Sequence, residues 1–138
     1  MGPEVVPGEL AASFSSAVVA LRLRRDAESV AYADELGAVV ALVQAMDATG
    51  REPGDVERVR RLQQDASMTR ILDALVDAPS LRSAAAALGL HHSSLQGRVD
   101  QLAGALGFDV TTPHGRTRLD LALALSRARR GLGGTAAQ

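Results

Sequence analysis

Apolar positions in this chain recur at helical spacing in a series of short blocks, separated by polar or glycine-containing breaks. In the first block, residues 9–25, Leu10, Phe14, Val18 and Leu21 fall on one stripe of an amphipathic helix. A polar break at 26–29 follows, and Val30, Ala31 and Tyr32 read as a single short extended piece. Helical spacing returns over 35–46 through Leu36, Val39, Val40, Val43 and Met46, with Asp34 as its predicted N-cap. Gly50, Pro53 and Gly54 mark a loop. Asp55 is placed to cap a charged helix over 56–66 whose narrow apolar face is Val56, Val59 and Leu62. Met68, Ile71, Leu72, Leu75 and Val76 define the next helix, which stops before Pro79 because proline disfavours helical geometry at the residue preceding it.

Beyond Pro79 the spacing fits a more particular arrangement. Ser80 can accept from first-turn amides as an N-cap, and the helix it opens, 81–88, is short. Two helices that cross steeply need small residues at their closest contact, which Ala84 and Ala85 supply. Gly89 permits the positive backbone angle of a tight reversal, and Leu90 can plug the core from within the turn. The second helix, to Leu106, has an inward stripe of Leu95, Val99, Leu102 and Leu106. This is the spacing of a helix-turn-helix, although an ordinary helical hairpin with a glycine turn shares part of it. Phe108 and Val110 then read as an extended link. Thr112 caps a last helix opened by Pro113, running through Leu119, Leu121, Ala122, Leu123 and Leu125 to Arg130 and closed by Gly131. No internal repeat is visible, and 132–138 reads as a flexible tail.

Composition agrees with an all-α chain: 46% of residues are hydrophobic, 22% charged, and alanine, the best helix former, is abundant. Cysteine is absent, which removes disulfides, thiolate zinc sites and cysteine nucleophiles together. No basic segment leads into an apolar stretch near the N-terminus, and the longest apolar run is far too short for a bilayer, so the expectation is a cytoplasmic protein without membrane contact. All fifteen basic residues are arginine, a usage associated with GC-rich genomes. Charge is unevenly distributed. Residues 1–66 carry seven Arg against eleven Asp and Glu, a balance of −4, and residues 67–138 carry eight Arg against five Asp, a balance of +3. Positive charge gathered in one part is what attraction to phosphate requires, whatever the net value of −1.

The outward start of the second helix is polar and nearly free of carboxylate: His91, His92, Ser93, Ser94, Gln96, Arg98. Docked in a major groove, it turns His92, Ser93, Gln96 and Gly97 toward base edges, where glutamine can pair bidentately with adenine. Arg82, Ser94 and Arg98, with Arg116 and Arg118 at the start of the last helix, are placed for phosphates, which position a protein without encoding sequence. Ser93 and Gln96 are equally spaced as a capping box, so Gln96 has a second, purely structural reading. Gly97 costs roughly 1 kcal/mol against alanine in a helix, which a close approach of DNA would explain. Arg127, Arg129 and Arg130 suit the end of a helix dipole. His91 and His92 point apart on a helix and no carboxylate cluster joins them, so neither a metal site nor any cofactor is expected. Ser93 and Ser94 lack the elbow and acid of a hydrolase, and no catalytic residue is expected; the chain does not read as an enzyme.

Residues 71–130 resemble the C-terminal helix-turn-helix of PucR/CdaR-type bacterial transcription regulators, in ILDAL, SLRSAAAALGLHHSSLQGRVDQLAGALG and TPHGRTRLDLALAL. ALRL at 20–23 and VAYADELGAVVAL at 30–42 are similar to the segment preceding that domain. The resemblance implies a DNA-binding regulator, usually dimeric, whose effector is bound by a region not in this chain, leaving open a C-terminal piece or a stand-alone module. His91, Leu95 and Arg98 match the family pattern, whereas its Arg-Asn-Thr is His92-Ser93-Ser94 here and its Tyr is Gly97, a variant similar to an actinobacterial subgroup; base preference does not carry over. LGFDVTTPHGRTRL also resembles the β-wing of LysR-type winged regulators, and the two differ in whether 113–118 is helical.

The expectation is thus an all-α protein: an N-terminal helical subdomain over 1–66, containing at most one short strand, a helix-turn-helix domain over 67–131, and a tail. Its expected partners are double-stranded DNA and a second copy of the chain. The rival reading is a protein-interaction or dimerisation bundle with a degenerate helix-turn-helix.

Overall fold

The computed structural model describes residues 10–24 and 36–133. These hold seven helices and no strand: α1 (Leu10–Leu23), α2 (Ala38–Thr49), α3 (Gly54–Leu62), α4 (Ala66–Asp77), α5 (Leu81–Leu88), α6 (His92–Leu106) and α7 (Pro113–Gly133). The short extended piece at 30–32 and the Asp34 cap lie outside the described residues. Two compact units divide the chain, one of them Pro53–Leu123 and the other made of the residues on either side of it. None of the described helices is long and apolar enough to cross a membrane.

In the flanking unit α1 packs on α2. Val19, Ala20 and Leu23 of α1 and Val40, Val43 and Met46 of α2 are buried. The stripe expected to face inward does not. Leu10, Phe14, Val18 and Leu21 are exposed by 66, 72, 38 and 56%, beside Leu42 at 43%. From Leu10 to Leu21 α1 has no charged residue, so its apolar periodicity could not say which face is covered. Arg22 joins the unit's parts: its guanidinium is paired with Asp47 on α2 and its Nε donates to the Ala128 carbonyl at 2.8 Å.

In the central unit one core gathers Val59, Ile71, Leu72, Leu75, Leu95, Val99, Leu102, Leu106, Val110, Leu119 and Leu123 around Ala84 and Ala85. Helix α4 packs on α5, α5 on α6, and α3 on α6. The predicted start of α3 is corrected. Asp55 does not cap it; Pro53 holds the N-cap position and the Asp55 carboxylate, inside the first turn, accepts from Arg58 and Arg118. Helix α4 is instead capped by Asp65, which accepts from the Ser67 and Met68 amides.

Between α6 and α7 the chain turns rather than running extended. The Thr111 hydroxyl and amide both donate to the Asp109 carboxylate, holding its pKa below the usual carboxylate range. Thr112 caps α7 as expected, its Oγ1 accepting from the Gly115 amide at 3.0 Å. Pro113 opens the helix, so residues 113–118 form a helix start and not a wing. Gly131 does not close it, because α7 continues to Gly133.

Candidate nucleic-acid interface

The reversal between α5 and α6 follows from a few residues. The Ser80 hydroxyl accepts from the Ser83 amide at 3.1 Å, fixing where α5 begins. Gly89, at φ 65°, ends it in the left-handed region, and the Leu90 amide donates back to Ala85 at 2.9 Å. Ala84 and Ala85 are fully buried where the helices meet, and Leu90 packs from the turn onto the core. With Leu95, Val99, Leu102 and Leu106 all buried, α6 can turn only its other face to solvent.

That face is the polar leading edge. His92, Ser93, Ser94, Gly97 and Arg98 are exposed, and Gln96 is half-buried. His91 is the N-cap of α6: its Nδ1 accepts from the Ser93 amide at 3.3 Å and lies 2.7 Å from the Ser93 hydroxyl. The capping-box reading of Ser93 with Gln96 is therefore corrected. Gln96 donates forward to the Asp100 carboxylate at 3.1 Å, a side-chain pair one helical turn apart. A methyl added to Gly97 would meet nothing within 4 Å, so packing within the chain does not demand glycine there.

The five arginines proposed or available around this edge are not equivalent. Arg82 and Arg98 are exposed with no carboxylate partner among the described residues. Arg116 turns inward, donating to the carbonyls of Ala78 and Pro79 at 3.2 and 3.3 Å, so it holds the entry to α5. Arg118 forms a two-bond fork with Asp55 and lies over the Phe108 ring, 4.2 Å from its centroid. Arg70, absent from the sequence-based set, is exposed on α4 and lines a recess with Arg98. Nothing in its own helix distinguishes it; only the approach of α4 to the turn and α6 does.

Local placement matters here because the unit as a whole is neutral, with eight Arg and eight Asp or Glu between residues 53 and 123. The positive balance of the C-terminal half comes from Arg127, Arg129 and Arg130, outside this unit. Among the described residues no group of three His, Asp or Glu could hold a metal ion. The family model of the PucR C-terminal helix-turn-helix domain matches residues 68–125, from α4 into α7. Comparison with curated proteins and with solved structures gave no match.

Proposed function

We propose, from the match of residues 68–125 to the PucR C-terminal helix-turn-helix domain, that the chain is a sequence-specific regulator of transcription that reads duplex DNA with the leading edge of α6. The observation that carries this reading is the exposure of His92, Ser93, Ser94, Gly97 and Arg98 at the start of a helix whose opposite face is locked in the core. Ser93 and Gly97 face most directly away from that core, with His92 and Gln96 beside them as base readers. Gln96 reaches a base by exchanging its bond to Asp100 for one to adenine. Arg82, Ser94 and Arg98 contact phosphates, while Arg116 and Arg118 act through the fold by holding α5 and α3.

A homodimer belongs to the same reading. Leu10, Phe14, Val18 and Leu21 of α1, with Leu42 of α2, leave apolar side chains in solvent that pairing with a copy would cover. The stripe is uncharged, so a two-fold axis brings no like charges together. One observation favours the rival reading of an interaction module, namely the neutrality of the central unit.

Fluorescence anisotropy on a mixed-sequence duplex, repeated across salt concentrations, separates the two. DNA binding predicts an affinity that falls linearly with salt on logarithmic axes, with Arg98→Ala flattening the slope. A protein that ignores duplex at every salt concentration supports the interaction module instead.

A further inference from the structure

Beside the helix-turn-helix lies an open recess of about 110 Å³, lined by Ser67, Arg70 and Ile71 of α4, Leu88 of α5, Leu90 in the turn and Arg98 of α6. Two of these six side chains are guanidinium groups and none is acidic. Both arginines are exposed, and neither has a carboxylate partner among the described residues. Two like charges at one recess repel each other, and an anion between them turns that repulsion into attraction. Ile71, Leu88 and Leu90 supply an apolar wall on which the guanidinium stems can rest, and the Ser67 hydroxyl adds a donor to an oxyanion. The neighbouring groove between α4 and α5 shares Arg70 but contains Asp73 and Asp77, so it does not suit an anion.

We propose that this recess is a phosphate-binding site in which Arg70 and Arg98 clamp one phosphodiester of the duplex flanking the groove that α6 enters. The proposal rests on the DNA reading above and adds to it a residue outside the helix-turn-helix. It also fixes the docking direction. With Arg98 held on a phosphate, α6 is registered along its flank on the α4 side, and the Gln96 flank is left to the bases.

The test measures binding of a fluorescent mixed-sequence duplex across salt for wild type, Arg70→Ala, Arg70→Lys, Arg98→Ala and the Arg70→Ala/Arg98→Ala double variant. Arg70→Ala weakens binding about 3- to 10-fold on every sequence and reduces the salt slope by about one. Arg70→Lys recovers most of the slope, because charge is retained. The double variant loses less than the product of the two single losses, since both arginines serve one phosphate. An Arg70→Ala slope equal to wild type, or losses that simply multiply, overturns the shared site while leaving the DNA reading standing. A wild-type protein that binds no duplex overturns the DNA reading and the site with it. Inorganic phosphate is the control: competition with the duplex stronger than that of chloride at matched ionic strength, and lost in Arg70→Ala, supports the clamp. Phosphate that binds through Arg70 without displacing duplex moves the ligand to a free phosphate and overturns the duplex assignment.

Discussion

The guanidinium of Arg118 on α7 donates through two nitrogens to the carboxylate of Asp55 on α3, each bond 3.0 Å long, across 63 residues of sequence. A planar fork meeting a carboxylate in this way fixes two helices at once, and the Phe108 ring lies beneath the same cation. This geometry has Arg118 holding α7 on α3, and the prediction is that it acts there and does not contact DNA. Arg118→Ala and Asp55→Ala are each expected to cost about 1 kcal/mol in thermal or urea unfolding. Arg118→Lys recovers little of that loss, because an ammonium cannot form the fork. The salt slope of duplex binding stays at the wild-type value in all three; a flattened slope in Arg118→Ala would return this residue to the phosphate contacts.

Gly115 is required by close approach. A Cβ at this position would lie 1.8 Å from the Asp109 carbonyl oxygen, part of the turn that delivers Thr112 to cap α7. Gly115→Ala is predicted to destabilise by at least about 3 kcal/mol, since the backbone of the turn must move. Denaturant titration checks it, and a loss under 1 kcal/mol would contradict the described turn.

Gly97 is the opposite case, with open space where a methyl would be added. Gly97→Ala should raise stability by about 0.5–1 kcal/mol through helix propensity. On DNA it should weaken binding, because the methyl occupies the face nearest the bases. Melting temperature and duplex affinity then move in opposite directions. An alanine variant improved in stability and unchanged in affinity would remove DNA approach as the reason for this glycine.

Acid should weaken the flanking unit through Asp47. Its carboxyl is held below the ordinary range chiefly by the hydrogen bond from Arg22, with burial opposing. The folded form therefore takes up a proton less readily than the unfolded one. The stabilisation is complete above the ordinary carboxylate pKa and is lost as pH falls from there through the lowered value. Melting from neutral pH down to about pH 3 should show a smaller acid decline in Asp47→Asn than in wild type. Identical declines would mean the pair does not contribute.

Phe14 and Val18 present an apolar stripe with no charge between Leu10 and Leu21. Phe14→Glu combined with Val18→Glu should shift sedimentation from dimer to monomer, with little change in the melting of a dilute sample. A wild-type monomer at high concentration would contradict the dimer.

The helix-turn-helix was legible in sequence because its steric demands name residue types: small at Ala84 and Ala85, glycine at the positive angle of Gly89, a hydroxyl at Ser80. Thr112 before Pro113 offered a helix start, but the same stretch also resembled a wing, and the cap formed by Thr112 Oγ1 on the Gly115 amide decides for the helix. Other features depend on partners distant in the chain. Asp55 looks like a cap until α7 brings Arg118 to it, and Arg70 looks like any solvated arginine until α6 closes the recess. At the start of α6 the spacing suggests Ser93 as the cap, whereas the His91 ring, a residue type outside the usual capping set, accepts from the Ser93 amide. On α1 the apolar spacing picked out the side that is exposed, because no charge marks the wet face.

Amide chemical-shift mapping on addition of a mixed-sequence duplex tests the central claim most directly. The predicted perturbations concentrate at residues 92–98 and extend to Arg70 and Arg82, with Leu102 and Leu106 little affected. Perturbations centred on α1 and α2 instead, or an unchanged spectrum at saturating duplex, would contradict it.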